Sequence, residues 1–160
     1  MNKNILLLGD SIIDNRSYVL EGELDVTAHL KKLYADQPDV IITNNAVDGD
    51  TMYNIEYNHL DTPEVEEASH IIVSIGGNDL LHNISFLQTT SELSKFMSKD
   101  ARIGKWGRRE LNPSRNKVFE ETYFEIIKPF TKQYETIVAN LSSHRANLLL
   151  CTVYEGDLAD

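Results

Sequence analysis

Basic residues are scarce in this chain. Its 160 residues carry 15 lysines and arginines against 25 aspartates and glutamates, a formal net charge of −10 at pH 7. A surface of that sign repels phosphate backbones and anionic bilayers, so neither nucleic acid nor a membrane surface is the expected partner. Sulfur is scarcer still. The single cysteine, Cys151, excludes an intramolecular disulfide, and its place in Leu148-Leu149-Leu150-Cys151 predicts a buried thiol. No apolar run approaches the ~20 residues of a spanning helix. The first run, Ile5–Leu8, is too short for a signal-peptide core and is followed by no small-residue cleavage site, so a cytoplasmic chain is expected. The sequence has no Gly-x-Gly-x-x-Gly or Gly-Lys-Ser/Thr phosphate loop, and no His/Cys/carboxylate cluster at metal-ligand spacing. Neither a cofactor nor a metal is expected.

What the sequence does have is a set of short apolar runs, each ending abruptly in small polar residues. Four read as strands, at residues 3–8, 39–44, 70–75 and 146–153. Helical patterns separate them. Asp25 is the expected N-cap of a helix over Val26–Ala35, and Thr51–Leu60 is a weaker helix. Residues 116–142 carry Phe119, Tyr123, Ile126, Ile127, Phe130, Tyr134, Ile137, Val138 and Leu141 at steps of three and four, with Pro129 expected to kink the helix. Strands alternating with helices imply right-handed crossovers and a parallel sheet. The expected fold is a three-layer α/β/α domain over residues 1–160, with flavodoxin-like strand order 2-1-3-4 and the switch point between strands 1 and 3.

Three loops then meet at the carboxyl edge of the sheet. The first carries Gly9-Asp10-Ser11, the second Asp48-Gly49-Asp50, the third Gly76-Gly77-Asn78-Asp79. Ester cleavage by serine needs a nucleophile, donors for the oxyanion and a base. Ser11 can supply the nucleophile and a backbone N–H. Gly49 lacks a side chain, so its N–H can approach a substrate oxygen, and Asn78 brings an amide NH2. Asp10 is expected to bond loop N–H groups, while Asp14 either orients the first loop, binds substrate or is a solvated turn residue. A phosphatase reading with Asp10 as nucleophile wants Asp-x-Asp, and the spacing Asp10 to Asp14 is wrong for it.

Taken together, Gly9-Asp10-Ser11, Gly49 and Gly76-Gly77-Asn78-Asp79 resemble blocks I, II and III of the SGNH (GDSL) hydrolase family in order and spacing. The resemblance implies a metal-free serine hydrolase acting on small-molecule carboxylic esters. It assigns Ser11 as nucleophile, with Ser11, Gly49 and Asn78 forming the oxyanion hole. The family's fourth block, Asp-x-x-His, does not follow the fourth apolar run here. The chain is therefore expected to be truncated at its C-terminus and to lack the fifth strand, leaving strand 4 as an edge open to self-association.

The base has no assigned residue. His29 falls mid-helix, His59 lies about 15 Å beyond Gly49 along a helix, and His70 and His144 precede strands, at the opposite edge. His82 starts near the third loop. Asp79-Leu80-Leu81-His82 spells Asp-x-x-His but overlaps block III, so Asp79 and His82 read as loop or substrate support rather than as a base pair. Two functions are open at this point: a serine esterase, or a binding or scaffold domain that keeps the pocket without the base. Residues 99–117 hold seven basic residues and the only tryptophan, Trp106; they read as a solvated loop or as a cap that attracts anions.

Overall fold

A computed structural model of the chain describes residues 3–88 and 123–151. The basic segment 99–117, the start of the long helical pattern and the end of the fourth apolar run lie outside them. In chain order the elements are β1 (Lys3–Gly9), α1 (Val26–Leu33), β2 (Val40–Asn44), α2 (Met52–Asn58), α3 (Pro63–Glu67), β3 (His70–Ser74), α4 (Gly77–Gln88), one π-helical turn (Tyr123–Ile127), α5 (Lys128–Ser143) and β4 (Asn147–Leu150). The sheet is parallel throughout, in the order β2-β1-β3-β4. That is the expected doubly wound α/β arrangement. The chain divides into two compact units, Met1–Asn78 with Gln133–Asp160, and Asp79–Lys132. The whole sheet belongs to the first, as do Ser11, Gly49 and Asn78 of the carboxyl-edge loops.

β1 anchors the sheet because it is central and apolar on both faces. Ile5, Leu6, Leu7 and Leu8 are all buried, and burial of such a side chain contributes about 1.5–3 kcal/mol each. Ile5 and Leu7 face α1, packing with Ile13, Ala46, Val26 and Leu30. Leu6 and Leu8 point to the other face by strand alternation. α1 begins where the sequence predicts: the Asp25 carboxylate accepts the Ala28 N–H at 2.7 Å, and Lys31 and Lys32 sit in the last turn, where the helix dipole favours cations. α2 is fixed at its start by Asn54, whose side-chain oxygen takes the Thr51 N–H at 3.0 Å and the Thr51 hydroxyl at 2.6 Å.

Two expectations change. Cys151 is exposed, not buried. Among the described residues β4 pairs with β3 alone, so the apolar run before it is half in solvent, with Leu149 and Leu150 50% and 43% exposed. Pro129 does not lie in the middle of one α-helix: it is the second residue of α5, directly after the π-helical turn, so its missing N–H falls where the helix type changes. The irregularity sits one turn earlier, as the π-helical turn, and the Thr131 hydroxyl caps the Ile127 carbonyl at the junction, 2.8 Å away.

Candidate active site

The first loop is built from its own backbone. Gly9 ends β1 opposite Ser74, and a β-carbon at position 9 would run into the Ser74 carbonyl. Asp10 is 3% exposed. Its N–H donates to the Ser74 carbonyl at 3.1 Å, and its own carbonyl accepts from the Ile13 and Asp14 N–H groups at 3.0 and 2.9 Å. Its carboxylate accepts the Ile12 N–H at 3.0 Å. Asp10 therefore wraps the turn around Ser11, as the sequence suggests, and leaves Ser11 half-buried at the rim. Among the described residues neither the Ser11 hydroxyl nor its N–H has a hydrogen-bond partner.

The second loop is built differently. The Val47 N–H bonds the Gly9 carbonyl at 3.0 Å, which docks the loop on the end of β1. The Asp50 N–H then closes a turn on the Val47 carbonyl, also at 3.0 Å. Gly49 is the third residue of that turn, with φ of +86°. A positive φ there marks a type II turn, in which the central peptide is flipped relative to type I. The flipped peptide carries the Gly49 N–H, so this dihedral sets the direction in which the donor points. A β-carbon at Gly49 would meet nothing within 4 Å. The positive φ makes glycine the residue that fits this turn.

Side chains from elsewhere hold this exposed turn. The Asp14 carboxylate accepts the Asp48 N–H at 3.0 Å, so Asp14 ties the first loop to the second. The Tyr18 hydroxyl donates to the Asp48 carboxylate at 2.7 Å. That bond holds the Tyr18 phenol above its ordinary pKa. From the third loop, Asn78 Nδ2 donates to the Asp50 carbonyl at 2.9 Å. The Asn78 amide thus touches the residue next to Gly49, and the three loops are stitched together at the carboxyl edge. Among the described residues the Gly49 N–H has no acceptor.

His59 is nearer this corner than distance along a helix suggests. α2 is only seven residues long, and the imidazole turns back at its C-terminal end. His59 Nε2 lies 3.6 Å from the Asp50 carboxylate. At that separation the contact is longer than a hydrogen bond, and it is an ion pair only when the imidazole carries its second proton. Burial pushes the Asp50 carboxyl above the ordinary carboxylate range, and the attraction of His59 pulls it part of the way back. His70 opens β3 and His144 precedes β4, both at the amino edge, and His29 lies in α1. Asp79 and His82 belong to the second unit, three residues apart on α4, with His82 exposed. The sequence offers no signal for Tyr18. Asp50 stands out in the sequence only as a neighbour of Gly49. Among the described residues no group of three or more histidines, cysteines and carboxylates could hold a metal ion.

The pattern that describes GDSL-like lipases and acylhydrolases matches residues 5–159. The chain belongs to that family. Solved structures with the same fold include a lipase from a goat rumen metagenome, 16% identical, with a TM-score of 0.58, covering 96% of this chain and 65% of that one. An acetyl xylan esterase is 17% identical, with a TM-score of 0.55, covering 93% and 57%. An extracellular lipase from Streptomyces rimosus is 14% identical, with a TM-score of 0.54, covering 98% and 66%. This GDSL-family chain therefore spans 57–66% of the length of these three. A search of curated proteins found no match.

Proposed function

We propose that the chain is a serine ester hydrolase acting on small carboxylic esters. The Ser11 hydroxyl attacks the ester carbonyl, its proton passes to a base, and the oxyanion is received by the Ser11 N–H, the Gly49 N–H and the Asn78 amide. The alcohol then leaves, and water attacks the acyl-serine to release the acid. The observation that carries this reading is the arrangement of donors: Gly49 is held in a turn that aims its N–H, and Asn78 reaches the adjoining residue at 2.9 Å. An amide has two N–H bonds, and the one not taken by Asp50 is the one an oxyanion would use. The lipase and the acetyl xylan esterase of the same fold support a carboxylic ester as the substrate class.

A second reading, a domain that keeps the pocket without turnover, is favoured by one observation. Among the described residues no histidine bonds the Ser11 hydroxyl. One experiment separates the two. A fluorophosphonate probe labels an activated serine, so the hydrolase reading expects labelling that Ser11→Ala abolishes, together with turnover of p-nitrophenyl acetate. Labelling that survives the substitution would move the nucleophile elsewhere. No labelling and no turnover in a folded chain would favour the binding domain.

A further inference from the structure

Asp50 stands where three constraints meet. Its N–H closes the turn on Val47 at 3.0 Å. Its carbonyl holds Asn78 Nδ2 at 2.9 Å. Its carboxylate faces His59 Nε2 at 3.6 Å, with side-chain exposures of 12% for Asp50 and 16% for His59. Charges so far out of water act on each other more strongly than surface pairs do. His59 is itself fixed. Its N–H donates to the Ile55 carbonyl at 3.1 Å, and its carbonyl accepts the Thr62 hydroxyl, also at 3.1 Å. Between the two partners runs α2, started by the Thr51–Asn54 bonds and ended at His59. The helix is a strut whose far end reaches back to grip the residue just before its start.

We propose that His59 and Asp50 form a positioning pair that sets the orientation of the Asn78 amide and of the Gly49 peptide. The proposal rests on reading Asn78 and Gly49 as oxyanion donors. The Asp50 carbonyl belongs to a rigid peptide plane shared with Thr51. Anchoring the carboxylate fixes the Asp50 backbone, and the carbonyl then holds the Asn78 amide in one rotamer. When His59 is charged the pair attracts and the anchor is tight. When His59 is neutral the carboxylate loses its counter-charge and the anchor loosens. The other ionisable groups around the pair are engaged elsewhere or lie outside the turn. Glu56 of α2 accepts from Gln133 of α5 at 3.0 Å, Asp48 is bonded by Tyr18, and Asp61 follows His59 in the turn toward α3. Among the described residues, the charge that bears on the Asp50 carboxyl is that of His59.

The test is amide NMR of the full chain between about pH 5 and 8, the range in which histidine changes charge. The Asn78 side-chain NH2 and the Gly49 N–H should shift with the same midpoint as the His59 ring. The Asn44 amide, which bonds the Thr27 hydroxyl at 2.8 Å, serves as a control that stays still. In His59→Gln the shift at Asn78 should vanish while its signals remain. His59→Gln should also lower kcat by roughly three- to tenfold with KM unchanged, less than the ~10²–10³ expected when a donor is deleted. A flat Asn78 signal while His59 titrates, or a shift that persists in His59→Gln, would overturn the proposal. Wild-type titration decides the matter even where a variant fails to fold. Failure of the underlying reading looks different: Asn78→Ala would then leave fluorophosphonate labelling unchanged although the NMR coupling is intact.

Discussion

The first and second corners of the site are held by opposite means. Around Ser11 the ties are local and made by the backbone, with the buried Asp10 at their centre. Around Gly49 the turn is exposed, and its neighbours are held by side chains of Asp14, Tyr18, Asn78 and His59, from 9 to 34 residues away in sequence. The first corner cannot move without undoing the β1–β3 pairing. The second can be moved by a substitution in any of four other places. An edge made this way keeps the Ser11 loop rigid and leaves the Gly49 turn adjustable.

The strongest test of that contrast is Gly9→Ala. The new β-carbon meets a backbone carbonyl of the neighbouring central strand, which cannot yield without moving the strand. A loss of about 3 kcal/mol or more in urea unfolding is expected. A loss under about 1 kcal/mol would mean that the first corner is as pliable as the second. Asn78→Ala comes next, and it tests the proposed chemistry as well as the tie to Asp50. It should cut kcat for p-nitrophenyl acetate by about 10²–10³. A fall of less than about threefold would remove Asn78 from the oxyanion role.

A smaller effect follows from Asp50. Its carboxyl is raised above the ordinary value, so the folded chain holds that proton more tightly than the unfolded one. Its contribution therefore favours folding below the unfolded carboxylate pKa and is lost as the pH rises through the raised value. His59→Gln removes the charge that opposes the shift. The Asp50 pKa should rise further, and the loss should extend to higher pH. Carboxyl ¹³C titration and unfolding at a series of pH values check both. Smallest of all is Asp48→Asn. It removes the negative charge from the acceptor of the Tyr18 proton, so the phenol should titrate closer to its ordinary value in an ultraviolet pH titration, with the fold unchanged.

The sequence made the sheet legible because buried parallel strands announce themselves. Apolar runs at 3–8, 39–44 and 70–75 became β1, β2 and β3 to within a residue or two, and Asp25 capped α1 as its chemistry demands. The three loops bearing Ser11, Gly49 and Asn78 fall at the expected edge for the same reason. Contacts made by side chains that fold back were not legible. Counting residues along α2 put His59 far from Gly49, because rise per residue describes the axis of a helix and not the reach of a side chain at its end. Tyr18 lies in a stretch without periodicity, so no pattern could point its hydroxyl at Asp48. Cys151 misled because an apolar run predicts burial only where both sides of the strand are covered.

The open space beside Gly49 carries a consequence about chirality. The position has room for a methyl group but a backbone angle of +86° that L-residues rarely adopt. Position 49 therefore selects by handedness rather than by size. A chain made by chemical ligation with D-alanine at 49 should keep the turn and the direction of its N–H, whereas the L-alanine variant should flip the central peptide and turn that donor away.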